Sequence, residues 1–184
     1  MHMPATHRWT AAAVRALPDD GKRYELIGGE LLVTPAPGSP HQEIVGELYF
    51  RLRQYLDRDR VAHVMMSPAD IELEPGTIVQ PDVFVLTGAR RARAWTEVKE
   101  LVLACEVLSP STARYDRVTK RRFFARASVG EYWVLDPEAE VIERSVRGEP
   151  RIEVIVDQLA WTPAGSSSAF TLDVAEFFRA TRAD

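Results

Sequence analysis

The sequence predicts an α/β (α+β) fold in which a central mixed β-sheet is flanked by α-helices. Short apolar runs of strand character at 79–86 and 101–108 occur in the same chain as amphipathic helical patterns at 40–57 and 115–128. A chain of 184 residues with 46% hydrophobic content is large enough to bury about two-thirds of its unfolded surface. We therefore expect residues 1–184 to form one domain around one core.

The N-terminal segment 1–20 is predicted to be a helical extension of that core, with a short helix capped by Thr10. Residues 24–34 then predict a β-hairpin, because Gly28-Gly29 is a two-residue turn flanked by β-forming residues. Glu25 and Glu30 lie on its two arms. They either support a functional site or are ordinary exposed strand residues.

The first long helix is predicted to be capped by Ser39, with Pro40 at the first helical position, and to run to about Asp57. A helical wheel places His41 on the apolar face, so its side chain should point inward at the helix N-terminus. Both a core histidine and a histidine beside a functional site fit this position.

Two acids stand in strand-like apolar surroundings. Short strands are predicted at 61–66 and 69–73, and two further strands carry Asp82 and Glu106. An isolated carboxylate such as Glu106 in a buried strand would cost several kcal/mol, so it needs a partner. The plainest partner is a divalent metal ion shared with Asp82, which neighbouring strands could present at the same end of the sheet.

The helix after Ser109-Pro110 is predicted to begin near Tyr115 or Asp116. At 100° per residue, Asp116 and Lys120 share a face with Phe123, Phe124 and Ala127. If the phenylalanines dock on the sheet, Asp116 and Lys120 point toward the strand end that carries Glu106. A buried Glu106–Lys120 ion pair without a metal explains the same pattern.

The C-terminal part, 138–184, is predicted to add a hairpin and a helix to the core. The expected elements are a strand at 131–135, a hairpin of 141–146 with 151–156, a loop at 162–168 and a helix at 173–180.

Composition limits the classes of function. The net charge of −4 argues against a protein that coats nucleic acid, but it allows a local basic groove lined by arginines such as Arg90, Arg91 and Arg93. The single cysteine, Cys105, excludes disulfides and cysteine-ligated zinc as organising devices and fits a reducing cytoplasm. No apolar run approaches the roughly 18 residues of a membrane helix, and no signal peptide is expected.

Two acids and a lysine in this order resemble the PD-(D/E)XK nuclease superfamily, and the longer pattern resembles its Uma-two branch. The matching stretches are YELIGGEL at 24–31, Pro40-His41, VQPDV at 79–83, EVLSPST at 106–112, Asp116 with Lys120, and EYWVLDP at 131–137. One departure stands out: Leu108 occupies the position of the superfamily's usual lysine. Lys120 would then supply the ammonium group from the following helix.

The resemblance implies a restriction-endonuclease-like core over 24–137 and a metal-dependent endonuclease that hydrolyses phosphodiester bonds, with DNA as the expected substrate. The implied site has catalytic Asp82, Glu106 and Lys120, with Mg²⁺ or Mn²⁺ held by Asp82 and Glu106, and support from His41, Asp116, Glu25 and Glu30. The residues alone do not distinguish DNA from RNA, and they leave a homodimer open. The rival interpretation is a catalytically inactive α/β module that binds partners or self-associates.

Overall fold

The computed structural model describes residues 8–87 and 94–182. The α-helices are α1 (Ala11–Arg15), α2 (Ser39–Asp59), α3 (Arg121–Arg126) and α4 (Val174–Ala180). The strands are β1 (Arg23–Ile27), β2 (Glu30–Thr34), β3 (Ala62–Met66), β4 (Val83–Thr87), β5 (Leu101–Val107), β6 (Val129–Asp136), β7 (Val141–Val146), β8 (Ile152–Ile155), β9 (Gln158–Trp161) and β10 (Phe170–Asp173). A π-helical segment, Tyr115–Lys120, leads directly into α3, and a 3₁₀ turn, Trp95–Glu97, precedes β5.

The centre of the fold is a six-stranded sheet in the order β3-β4-β5-β6-β7-β8. Strands β5 and β6 are parallel, whereas the other neighbouring pairs in this sheet are antiparallel. A parallel pair needs a crossover connection, and the π-helical segment with α3 supplies it. The predicted central mixed sheet with flanking helices is therefore confirmed.

The central strands of the sheet are buried on both faces. On one face, α2 and α4 pack against a core that includes Leu48, Cys105, Trp133 and Phe177. On the other face, α3 packs on a second core through Phe123 and Phe124. Burial on both faces explains why β5 reads as a continuous apolar run rather than an alternating one.

Two backbone hydrogen bonds join the β1–β2 hairpin to the chain segment just before β4. Leu26 N–H donates to Ile78 O at 2.7 Å, and Ile78 N–H donates to Leu26 O at 2.8 Å. Gly28 and Gly29 form the predicted two-residue turn with φ values of 62° and 84°, a left-handed conformation that favours glycine. This attachment brings one face of β1 close to the sheet.

Several local predictions differ from the structure. Gly38 is the N-cap of α2, so Ser39 is the first helical residue and makes no capping hydrogen bond. Residues 69–73 form no strand but only one bridge, between Ile71 and Val79. Strands β9 and β10 were not predicted. The predictions for residues 1–7, Arg90, Arg91, Arg93 and 183–184 lie outside the described residues. Among the helices that the structure describes, none is long and apolar enough to cross a membrane.

Candidate active site

Asp82 and Glu106 lie at the same end of the sheet, on neighbouring antiparallel strands. Asp82 immediately precedes β4, and Glu106 is the last but one residue of β5. The register pairs Val83 with Cys105, so its extension by one residue places Asp82 opposite Glu106. Residues directly opposite in an antiparallel pair have Cβ atoms about 4.5 to 5.5 Å apart and point to the same face. Both residues are only 3% exposed.

Lys120 reaches this end of the sheet from the helical layer and contacts three carboxylates. Its Nζ lies 2.8 Å from Glu106 Oε1, 2.8 Å from Glu25 Oε2 and 3.3 Å from Asp116 Oδ1. The lysine is 3% exposed, because Phe123 and Phe124, one turn further along, anchor the same helix face in the core. The helix face inferred from the sequence therefore does carry Asp116 and Lys120 inward.

The segment that carries Asp116 and Lys120 is π-helical rather than α-helical. Arg121 N–H donates to Asp116 O, five residues earlier. Single π-helical turns within α-helices are rare and are frequent at functional sites. This π-helical segment carries both Asp116 and Lys120, and Lys120 contacts Glu106 at the end of β5.

Asp82 is held by three donors from different parts of the chain. Arg23 Nη1 donates to Asp82 Oδ1 at 2.7 Å, and Val107 N–H donates to Asp82 Oδ2 at 2.9 Å. His41 Nε2 lies 3.1 Å from the same Oδ2. His41 is thus turned inward at the start of α2, as the helical wheel predicted, and its hydrogen-bond partner is Asp82.

Sequence reasoning missed Arg23 and left the role of Glu25 open. Glu25 is 4% exposed, and its second oxygen, Oε1, accepts from Gln80 N–H at 2.8 Å. Because alternate residues of a strand share a face, an inward Glu25 implies an inward Arg23, and this was the available signal. Glu30 shares that face of the hairpin but lies at its turn end, where it is exposed. No contact within the described residues joins Glu30 to Lys120 or to the carboxylates around it.

The charges in this cluster shift the pKa values in opposite directions. Burial opposes ionisation of Asp82, but the contacts with His41 and Arg23 outweigh it and hold the pKa of Asp82 well below its usual range. Burial raises the pKa of Glu106 well above its usual range despite the nearby lysine. The pKa of Lys120 is raised although burial acts to lower it, because Glu106, Glu25 and Asp116 surround the ammonium group.

The cluster carries a formal excess of negative charge. Four carboxylates, on Glu25, Asp82, Glu106 and Asp116, face the two cations Arg23 and Lys120. With His41 neutral and all carboxyl groups ionised, two negative charges remain uncompensated. Protons or a divalent cation would remove this surplus.

A cavity of about 190 Å³ opens onto these side chains. One buried atom of the lining residues, His41 Nδ1, makes no hydrogen bond within the described residues, and Asp116 Oδ1 has the 3.3 Å ion-pair contact with Lys120 in place of a hydrogen bond. Nor does any group of three or more His, Cys, Asp or Glu in the described ranges form a ready-made metal cage. Mg²⁺ is commonly held by only one or two carboxylates, with water or phosphate oxygens completing its shell. The donor chemistry of Asp82 and Glu106 fits such an ion.

The fold is similar to that of a protein whose structure has been solved. A crystal structure from Anabaena variabilis ATCC 29413, described as that of "a putative nuclease belonging to DUF820", superposes with a TM-score of 0.75 at 17% sequence identity. The match covers 95% of this chain and 99% of that chain. The Uma2 family model, described as "Putative restriction endonuclease", matches residues 11–174. The chain therefore belongs to this family, as its motifs indicated. No curated protein is significantly similar to it in sequence.

Proposed function

We propose that the protein is a metal-dependent endonuclease that hydrolyses phosphodiester bonds, with DNA as its substrate. The observation that carries the proposal is the convergence of Asp82, Glu106 and Lys120 at one cavity in a chain of a family described as restriction endonucleases. Two adjacent carboxylates can hold a divalent cation, and a nearby ammonium group can contact the attacking water or a phosphate oxygen.

Asp82 and Glu106 would hold the metal ion, Mg²⁺ or Mn²⁺. The surplus of negative charge around them supports a divalent cation, and carboxylate oxygens are the ligands these ions prefer. Such an ion, when bound, polarises a phosphoryl oxygen and lowers the pKa of a bound water.

The cations of the chain have distinct roles in this proposal. Lys120, whose Nζ also contacts Glu25 and Asp116, would direct its ammonium group to the attacking water or to a phosphate oxygen. Arg23 lies on the Asp82 side, and guanidinium groups bind phosphate oxygens in a bidentate manner. Substrate phosphate would then compete with Asp82 for Arg23. His41 fixes the orientation of Asp82 through its Nε2.

A second candidate is the catalytically inactive module, and one observation favours it. In the structure, Glu106 is bonded to Lys120, while Asp82 is bonded to Arg23 and contacts His41. A buried acid satisfied by a buried base needs no metal. In this interpretation the cluster fixes the packing of the helical layer on the sheet.

Calorimetric titration with Mn²⁺ separates the two candidates. The nuclease proposal predicts saturable binding to one site that is lost in Asp82→Asn, a variant that keeps the shape of the side chain. Asp57→Asn, which changes an exposed acid on α2, is the matched control and should bind like the wild type. Cleavage of single-stranded DNA, double-stranded DNA and RNA in Mn²⁺ then identifies the substrate. Absence of binding at millimolar Mn²⁺ would leave the inactive module as the function.

A further inference from the structure

A second cavity, of about 210 Å³, lies between α3 and the β7–β8 hairpin. We call it the arginine shelf, because its lining contains Arg121, Arg122, Arg147 and Arg151. It differs from the candidate active site in its charge and in its lining residues. The protein has a net charge of −4, so a cavity lined by four arginines is a local concentration of positive charge.

The sheet register explains why the cavity exists. Tyr132 of β6 pairs with Ser145 of β7, and Ser145 pairs with Ile152 of β8, so the three side chains point to one face. The ring of Tyr132 packs against Phe124 of α3, with ring centroids 4.8 Å apart. Helix α3 therefore covers β6 but leaves the neighbouring part of β7 and β8 open. Ile152 is accordingly 41% exposed.

Two buried polar atoms of residues that line the shelf have no hydrogen-bond partner within the described residues. They are Arg121 Nε and Ser145 Oγ, and both residues line the cavity. The side chain of Arg121 is 14% exposed, and its Nη2 is paired with Glu143. Buried N–H and O–H groups are nearly always satisfied by protein, water or ligand. Two donors of the lining residues thus have no acceptor, and an acceptor that reached them from the shelf would satisfy both.

The rim of the shelf carries a surplus of positive charge. Arg122, Arg147 and Arg151 are exposed and make no ion pair within the described ranges, and the lining contains one acid, Glu149. The charge of Arg121 is offset separately by Glu143, which also binds Arg117. Three guanidinium groups and one carboxylate leave two positive charges uncompensated.

We propose that the arginine shelf binds a phosphomonoester dianion. A phosphomonoester carries about −1.5 to −2 charges at pH 7 and three strong acceptor oxygens, which matches the surplus of two positive charges. Arg121 Nε–H and Ser145 Oγ–H would donate to its oxygens from below, and the forked guanidinium groups of the rim would donate from the side. The apolar part of the lining, formed by residues such as Val146, Pro150 and Ile152, accommodates the organic part of the ligand.

The group has two chemical sources: a free mononucleotide or the phosphorylated 5′ end of a nucleic acid strand. The proposal does not depend on the proposed nuclease activity. The shelf and the cavity of the candidate active site have no lining residue in common. Its test needs neither metal nor cleavage.

Titration with inorganic phosphate, followed by the side-chain Nε–H signal of Arg121 in ¹H–¹⁵N spectra, tests the site directly. We expect saturable binding that shifts this signal. Ser145→Ala and Arg147→Gln should each weaken the affinity roughly tenfold, since each removes a hydrogen bond to a charged group. Arg58→Gln, which removes an exposed arginine at the far end of α2, should leave the affinity unchanged. An Arg121 signal that does not respond, or affinities equal in all variants, would overturn the proposal.

Three further ligands distinguish the sources. A nucleoside 5′-monophosphate should shift the Arg121 signal at least as strongly as inorganic phosphate. A 5′-phosphorylated oligonucleotide that shifts it, while the same oligonucleotide without the terminal phosphate does not, would identify the strand end as the source. If the mononucleotide binds and neither oligonucleotide does, the source is the free nucleotide. Equal responses to both oligonucleotides would contradict a monoester site, since the unphosphorylated strand contains only diesters.

Discussion

Lys120 is the residue on which the buried charge cluster depends. Its ammonium group is the shared partner of Glu25, Glu106 and Asp116, and all three carboxylates are less than 5% exposed. Each of them would otherwise be buried without a full charge partner. The lysine is therefore a structural element as well as a candidate catalytic group, and a substitution there changes both properties.

The substitution Lys120→Met should strongly lower the free energy of unfolding. Methionine keeps most of the buried stem, so the loss reflects mainly the missing ammonium group. Removal of one partner of a buried ion pair typically costs about 3 to 5 kcal/mol. Urea unfolding of the variant and the wild type measures this difference.

Arg126→Met, an exposed change six residues beyond Lys120 in the same helical layer, is the matched control and should stay within about 0.5 kcal/mol of the wild type. If Lys120→Met lost less than about 1 kcal/mol, the carboxylates would not depend on the lysine. The assignment of Lys120 as their common partner would then be wrong.

Asp136 provides a second test at the scale of one residue, at the end of β6. Its Oδ1 accepts from the N–H groups of Glu138 and Ala139, and its Oδ2 accepts from Arg117. Burial opposes ionisation, but the bonds from Ala139, Arg117 and Glu138 hold the pKa of Asp136 below its usual range. We expect Asp136→Ala to lose about 1 to 2 kcal/mol of stability near neutral pH.

The pH dependence of that loss follows from the lowered pKa. A carboxyl group with a lower pKa in the folded state stabilises the protein above its unfolded pKa of about 3.9 and loses this effect as pH falls through the folded value. The difference between wild type and Asp136→Ala in urea unfolding should therefore shrink from about pH 7 to about pH 3. Equal differences at both pH values would contradict the carboxylate's role.

Helix and strand periodicity was sufficient to bring most site residues together, because the constraint is local. Asp116 and Lys120 follow from one helix face, and His41 from another. Alternation along the strand places Arg23 on the same face as Glu25, but it does not identify the partner of Arg23. Arg23 contacts Asp82 across 59 residues of sequence, and arginines are usually exposed. Its position depends on how the hairpin docks, and that docking is set by tertiary contacts at Leu26 and Ile78 rather than by a pattern in the hairpin.

The close packing of the two parallel strands, β5 and β6, gives a test at the scale of elements. A Cβ atom on Gly130 of β6 would lie 2.6 Å from the backbone oxygen of Val102 in β5, a contact that the backbone must move to relieve. Gly130→Ala should therefore lower the free energy of unfolding by about 1 to 3 kcal/mol. Thermal or urea unfolding measures the effect.

Gly46 is the matched control for that substitution. A Cβ atom there meets nothing within 4 Å, and Gly46 lies inside α2, where alanine is favoured over glycine by about 0.5 to 1 kcal/mol. Gly46→Ala should therefore stabilise the protein. Similar effects of the two substitutions would show that the strand contact at Gly130 has no special cost.

Elements with strong periodicity were predictable and short ones were not. The apolar stripe of α2 was sufficient to predict a helix, and the continuous apolar run of β5 was sufficient to predict a buried strand. By contrast, β9 and β10 have four residues each, too few for a reliable alternation. Their pairing of Trp161 with Phe170 depends on a tertiary core that also includes Tyr55 and Trp133. The cap of α2 was assigned one residue too late because Gly38 and Ser39 are both acceptable N-caps.

At the scale of the whole molecule, the candidate active site is assembled from segments that are far apart in the sequence. The hairpin supplies Arg23 and Glu25, α2 supplies His41, the two central strands supply the acids, and the helical layer supplies Lys120. None of these segments forms the site alone, so the site exists only in the folded protein. A ligand that binds there must stabilise the whole fold by mass action.

This linkage predicts that Mn²⁺ raises the melting temperature. A ligand at 100 times its dissociation constant stabilises the folded state by about 2.7 kcal/mol. For a chain of this size, that corresponds to an increase of roughly 5 to 10 °C. Differential scanning calorimetry at increasing Mn²⁺ concentrations measures the shift, and each variant is compared with its own metal-free sample so that its basal stability does not matter.

The shift should disappear in Asp82→Asn and persist in Asp57→Asn, because Asp82 is a proposed metal ligand and Asp57 is not. Ser145→Ala should also keep the full shift, since the arginine shelf lies apart from Asp82 and Glu106. A shift of equal size in Asp82→Asn would place the metal elsewhere in the protein. A wild type without any shift in millimolar Mn²⁺ would mean that the cluster is already neutralised by Lys120, Arg23 and protons, and the inactive module would then be the better account of the chain.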